Sequence, residues 1–246
     1  MMTKWTSEWS RRGETALASW RMGVIESVNV GLLRSIGAKA GATGIDKLPT
    51  PNPVLVSAPG PQRTGTSGLA GDVICDSNHH GGDRQAVYAY AREDLDWWQG
   101  ELDLTLRSGM FGENLTTVGL KVTGALIGET WRIGDDLVLQ VTSPRVPCGI
   151  FAAWMDRPGW VKAFTRGARP GAYLRVLEQG EVRATDPVVV EFRPAHSVTV
   201  GDTFRALTLE PELCPDVLEA AEYLDDEIVL RAERRELYVL SSSADD

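Results

Sequence analysis

The stretch Pro144-Arg145-Val146-Pro147-Cys148-Gly149 has the sharpest chemical potential in the chain. Its two prolines stiffen the backbone around Arg145 and directly before the cysteine, so a guanidinium and a thiol are held in a restricted relation. A nearby guanidinium favours thiolate, the form that ligates a soft metal or attacks an electrophile. Cys148 is therefore the candidate catalytic and metal-ligating residue. Cys75 and Cys214 stand among strand-like or helical apolar residues and rank below it. Taken alone, a free cysteine is more often a small buried hydrophobe.

Three polar segments could serve such a thiol. In His79-His80-Gly81-Gly82-Asp83-Arg84, the glycines can turn their N–H groups toward an anion while His79, His80 and Arg84 add side-chain donors. Phe111 to Thr117, FGENLTT, places Glu113, Asn114, Thr116 and Thr117 where they could fix a heterocycle by directed hydrogen bonds. Thr43 to Pro49, TGIDKLP, offers Lys47 in a turn. Each segment alone reads equally well as a tight turn or a polar loop. HExxH, GxSxG, a P-loop and a convincing dinucleotide fingerprint are all missing, whereas a Cys148–histidine dyad formed in space stays open.

The elements that must position these residues come next. With 246 residues, 43% of them apolar, the chain can bury a real core. Its net charge of -9 argues against a general nucleic-acid binder. Three scattered cysteines without CxxC spacing signal neither a disulfide framework nor structural zinc, so a reducing cytoplasm is expected. No secretory signal and no apolar stretch long enough to span a bilayer is visible.

GVIESVNVG alternates as a half-buried strand, and residues 34 to 70 read as long loops with brief strands. AVYAYA reads as a buried strand, REDLDWWQGEL as a helix, and GETWRIGDDLVLQVTSP as a hairpin that delivers the chain to Cys148. FAAWMDRPGWVKAFTRG is helical with a break at Pro158, and AYLRVLEQGEVRATDPVVVEFRP is strand, turn and strand. Many short strands favour a closed β-barrel over a βαβ sheet. The expected organisation is an N-terminal extension over 1–22 bearing Trp5, Trp9 and Trp20, a barrel domain over 23–194, a small helical domain over 195–240, and a tail over 241–246.

Taken in order, TGIDKLP, GLAGD, HHGGDRQAVYAY, FGENLTT, IGETWRIGD and SPRVPC resemble the MOSC domain, named for the C-terminal region of molybdenum cofactor sulfurases, and in particular its YiiM-like branch. The resemblance runs from about Gly23 to Arg193, and the segment after it is similar to that branch's small helical domain. It implies a mainly β fold, a MOSC-type barrel with a few peripheral helices. It also implies a molybdopterin-type molybdenum cofactor whose metal is ligated by Cys148. Such a cofactor needs donors for its phosphate and polar groups for its pterin, and the residues that offer them are Lys47, Arg84 and Arg145 with the Gly81-Gly82 turn, His80 and Asn114. The implied activity is reduction of N-hydroxylated compounds such as hydroxylaminopurine bases. Electrons would come from a separate flavin or electron-carrier protein, since three scattered cysteines build no iron–sulfur cluster.

Two departures from the family pattern stand out: Thr185 replaces a glycine common in relatives, and the N-terminus extends beyond the usual start. A second reading makes the domain a sulfur or cofactor carrier using a Cys148 persulfide without redox turnover. A third is a degenerate module that binds another anion or heterocycle. The likeness extends to domains described as pyridoxal-phosphate binders, but no Schiff-base motif accompanies Lys47 or Lys162. A homodimer is left open.

Overall fold

The computed structural model describes residues 22–35, 41–63, 66–75 and 80–240. His79, the N-terminal tryptophans and the tail expected over 241–246 lie outside the described residues. Strand β1 (Met22–Gly31) follows the alternation in its sequence, burying Ile25 while exposing Met22 and Val24. The glycine- and proline-rich region after it forms only brief strands: β2 (Arg34–Ser35), β3 (Ala42–Thr43), β4 (Lys47–Pro49) and β5 (Val54–Val56). Then come β6 (Val87–Ala91), helix α1 (Arg92–Leu102), β7 (Leu115–Val118), β8 (Thr130–Ile133) and β9 (Leu137–Pro144). Helices α2 (Gly149–Met155) and α3 (Trp160–Gly167) flank Pro158. Three strands follow, β10 (Ala172–Glu178), β11 (Gly180–Val182) and β12 (Pro187–Phe192).

Seven strands close a barrel in the order β1-β12-β8-β9-β10-β6-β7, and closure comes from β1, which pairs with β12 on one side and β7 on the other. Closure removes the open edges that would otherwise invite pairing with other chains. β4 adds to the far end of β1, where Gly31 faces Lys47. Every barrel pairing is antiparallel except β6 with β7. Since α1 starts directly after β6, the chain must cross back before β7 begins, and the barrel contains one parallel βαβ crossover.

Two hydrophobic clusters result. One fills the barrel with Ile25, Val87, Leu115, Trp131, Leu139 and Leu174. The other is aromatic and lies under α1 to α3, where Trp98, Phe111, Phe151, Trp160 and Phe164 meet mostly edge to face, with centroids 5.0–6.3 Å apart. Beyond Pro194 come α4 (Val200–Thr208), α5 (Cys214–Val217) and α6 (Asp226–Arg234). Thr199 caps α4 reciprocally: its hydroxyl accepts from the Asp202 N–H at 3.0 Å and the Asp202 carboxylate accepts from the Thr199 N–H at 3.3 Å. Leu207, Cys214, Val217 and Ile228 from this segment join the barrel's own cluster. Among the described residues, no helix is long and apolar enough to cross a membrane.

Thr185 occupies a backbone conformation that suits glycine. Its φ is 76°, in the left-handed region that a β-branched residue rarely adopts, while its N–H donates to Ile25 O at 2.7 Å. The left-handed penalty is roughly 1–2 kcal/mol, and the added chain entropy of glycine gives back about 0.5–1 kcal/mol. Thr185→Gly should therefore stabilise the fold by about 0.5–1 kcal/mol, read as a higher urea midpoint at unchanged slope.

Candidate functional site

Strand β9 ends at Pro144, and the proline-stiffened turn after it sets Arg145 inward and Cys148 at the first position before α2. Beside Cys148 lies a cavity of about 100 Å³ that opens to solvent. Lys47, Asp72, His80, Gly81, Asn114 and Arg145 line it together with Tyr88 and Tyr173. Residues spread over a hundred positions of sequence meet here because β6 and β10 pair Tyr88 with Tyr173 while β7 brings Asn114 beneath them.

Cys148 is half-buried. Burial alone would raise its thiol pKa. Hydrogen bonding to His80, the Arg145 charge and the Phe151 amide outweigh that and bring it down to about 6. Arg145 is buried, donates to Phe111 O, and lies 3.9 Å from the centroid of Phe151 and 5.3 Å from that of Tyr88. Among the described residues no carboxylate pairs with it. Ring faces, a carbonyl and the thiol are its company, so the cavity presents a buried positive charge to an anion.

Opposite stands a polar node built on Asp72, whose side chain is 1% exposed. Its carboxylate accepts from the Gly31 N–H at 2.6 Å, the Asn114 amide at 2.9 Å, the Ser67 hydroxyl and the Lys47 ammonium. Burial pushes the Asp72 carboxyl up, but these donors, Lys47 first, hold it below the ordinary carboxylate value. Burial lowers the Lys47 ammonium despite its partner. Asn114 is equally committed, because its side-chain oxygen also accepts from the Tyr88 N–H at 3.1 Å. Glu113, fully buried, accepts from the N–H groups of Gly109 and Phe111 and from Thr116, so much of FGENLTT satisfies itself.

Lys47, His80, Gly81, Asn114, Arg145 and Cys148, all singled out from sequence, line the one cavity. Arg84 and Gly82 do not. Arg84 donates to Tyr223 O at 2.8 Å and pairs with Asp225 at 3.4 Å, tying the barrel to the C-terminal helices. Gly81 and Gly82 have φ of 81° and 77°, as a glycine pair permits. A Cβ on Gly82 would meet the Gln62 backbone at 2.6 Å, so its lack of a side chain serves close packing with a neighbouring loop. Cys75 is a second difference: it is exposed, in a loop, and lines the same cavity as Cys148. Cys214 is buried, as its surroundings in sequence suggested. Lys162 is exposed on α3.

Sequence reasoning missed Asp72, Tyr88, Tyr173 and Gln85 as cavity residues. Asp72 had a signal, its place in GLAGD. The tyrosines had none, since in a strand read as buried core only cross-strand pairing shows which side chains border a cavity. Among the described residues no group of three or more His, Cys, Asp and Glu forms a metal site of protein ligands alone. A metal at Cys148 would need its other ligands from a cofactor. The residues fit such a group: a soft thiolate donor, a buried cation without a carboxylate, and the neutral Tyr173 phenol as a hydrogen-bond donor.

Two outcomes follow from this geometry. Iodoacetamide alkylation of metal-free protein, followed residue by residue by mass spectrometry, should give Cys148 a midpoint near pH 6, rising on His80→Ala, whereas Cys75, its pKa raised by burial, reacts only at higher pH. Asp72→Ala should cost roughly 3–5 kcal/mol by stranding the Lys47 charge, with Asp72→Ala/Lys47→Met recovering part of it in urea melts.

Residues 76–189 match the family model of the MOSC domain. YiiM of Escherichia coli is 31% identical over 138 residues, covering 55% of this chain and 61% of that protein. A protein of Gibberella moniliformis described as a reductase is 32% identical over 178 residues, 70% of this chain and 30% of its own length. The chain thus spans less than two thirds of the curated relatives it matches. The crystal structure of YiiM from Geobacillus stearothermophilus superposes with a TM-score of 0.69 at 24% identity, over 87% of this chain and 98% of that one, and shares its fold. With the barrel, the motif order and the family match in agreement, residues 76–189 read as a MOSC domain, and the chain is similar to YiiM in sequence and shares its fold.

Proposed function

We propose that the chain binds a molybdopterin-type molybdenum cofactor through Cys148 and reduces N-hydroxylated compounds, hydroxylaminopurine-type bases among them. The match of residues 76–189 to the MOSC domain supports molybdenum-cofactor chemistry, and a relative described as a reductase points the same way. The observation that carries the reading is the half-buried, low-pKa thiol of Cys148 beside the buried Arg145 cation in one cavity. Overall, R–NHOH takes up two electrons and two protons, its N–O bond breaks, and R–NH2 and water leave. Electrons come from a separate flavin or electron-carrier protein, since three cysteines cannot hold an iron–sulfur cluster.

When bound, the cofactor supplies the two-electron step at its metal. The protein's part is to hold and shield. Cys148 acts as the thiolate ligand, and the hydrogen bond and charge of His80 and Arg145 keep it deprotonated. Arg145 meets anionic groups of the cofactor, while Lys47 contributes through its pair with Asp72. Burial pushes the Tyr173 phenol up, so it stays protonated and serves as a neutral donor at the cavity wall. The aromatic cluster behind Cys148 excludes water from that side.

Cys75, in the same cavity, favours a second reading, a sulfur carrier with a Cys148 persulfide that exchanges with the neighbouring thiol. Mass spectrometry would then show a labile sulfur adduct on protein without pterin. For the leading reading, Cys148→Ser produced in a cofactor-making host should lose at least tenfold in bound molybdenum by elemental analysis, and lose turnover, at an unchanged melting temperature. A variant that keeps full metal and turnover sinks it.

A further inference from the structure

Three tyrosines stand on the paired strands β6 and β10, and two of them have committed their hydroxyls to the fold. Tyr88 donates to Pro170 O at 2.7 Å and Tyr90 to Arg169 O at 2.6 Å. The Tyr173 hydroxyl makes no hydrogen bond among the described residues. Buried side-chain atoms left without a partner there belong to Gln85, Arg92, Thr117, Trp160 and His196, so the phenol oxygen of half-buried Tyr173 keeps accessible surface. Tyr173 borders two spaces, the Cys148 cavity and a larger groove of about 760 Å³ between the barrel and the C-terminal helices.

The rest of the residue is fixed. Its carbonyl accepts from the Thr142 hydroxyl at 3.0 Å, and its ring lies against that of Tyr88 with centroids 5.1 Å apart. Strand β10 shifts register against β9 between Tyr173 and Leu174, an irregularity of the kind that re-aims side chains beside active sites. Both the Arg145 and the Cys148 charge act on the phenol, which puts it in their neighbourhood. His80, bordering the same two spaces, is taken up by Cys148. A held ring with a free O–H beside the thiol is a preorganised donor, and such donors count most where negative charge develops during a reaction.

Resting on the function proposed above, we propose that Tyr173 is a catalytic residue whose phenol donates a hydrogen bond to the N–O oxygen of the substrate. As the N–O bond breaks, its bonding pair leaves on that oxygen, and the hydrogen bond stabilises the charge that builds there. The two electrons from the carrier protein go to the nitrogen, and one solvent proton on each fragment gives R–NH2 and water. Tyr173 keeps its own proton throughout. An amine, which lacks the oxygen, leaves the donor unused and binds less tightly.

The test uses the full chain from a cofactor-making host and compares 6-N-hydroxylaminopurine with adenine, its reduced counterpart. With no electron donor present, titration calorimetry should show wild type preferring the hydroxylamino compound about fivefold. Tyr173→Phe should cut that preference to within about twofold, with molybdenum content and melting temperature unchanged; 4-methylphenylalanine at 173 takes its place should the variant misfold. With electrons supplied, kcat should fall at least tenfold in the same variant. Replacing Tyr173 by 4-aminophenylalanine, which keeps the ring and a donor, should restore most of the preference. A preference that survives Tyr173→Phe, or a kcat within twofold of wild type, overturns the assignment. So does loss of molybdenum in the variant, which would put the phenol on the cofactor. Wild type without molybdenum or turnover overturns the underlying reading and this assignment with it, whereas wild type that has both, matched by Tyr173→Phe, overturns this assignment alone.

Discussion

One buried carboxylate organises the floor of this molecule. Asp72 gathers a backbone N–H of β1, the Lys47 ammonium of β4, a hydroxyl from its own loop and the amide of Asn114 at the start of β7. Buried charge is tolerated only when its lone pairs are filled, so the carboxylate compels these segments to converge. The extra strand β4, the loop carrying Ser67 and the barrel strands β1 and β7 are fastened at one point. The Cys148 cavity has that point as its far wall.

Across the cavity the electrostatics run the other way. Asp72 and Lys47 neutralise each other, whereas Arg145 keeps its charge among aromatic faces and a carbonyl. Together with the hydrogen bond to His80, that charge brings the Cys148 thiol pKa down to about 6. The cost of burying a guanidinium without a carboxylate is met by cation–π contact and by the thiolate itself. Structural rigidity and chemical activation therefore share one wall, because the aromatic cluster that packs α2 and α3 also supplies the rings that hold Arg145.

The C-terminal helices are part of this design. Leu207, Val217 and Ile228 complete the hydrophobic cluster of the barrel, and Arg84 reaches out of the glycine turn to hold Tyr223 and Asp225. The segment thereby builds one wall of a groove that shares His80, Gln85 and Tyr173 with the cavity.

What the sequence determined by itself was whatever depends on local pattern. β1, β6, α1 and the β8–β9 hairpin follow from alternation, helical spacing and turn residues, because side-chain direction repeats with the backbone period. The proline-framed Arg145 and Cys148 were legible for the same reason, since proline restricts the chain where it stands. Tertiary structure alone decided which polar residues share a cavity. It turned Arg84 to the C-terminal helices, brought exposed Cys75 to the mouth, consumed Asn114 and Glu113 in internal hydrogen bonds, and left the oxygen of Gln85 unmatched. Those outcomes rest on strand register and on competition among donors and acceptors distant in sequence, which no local spacing encodes.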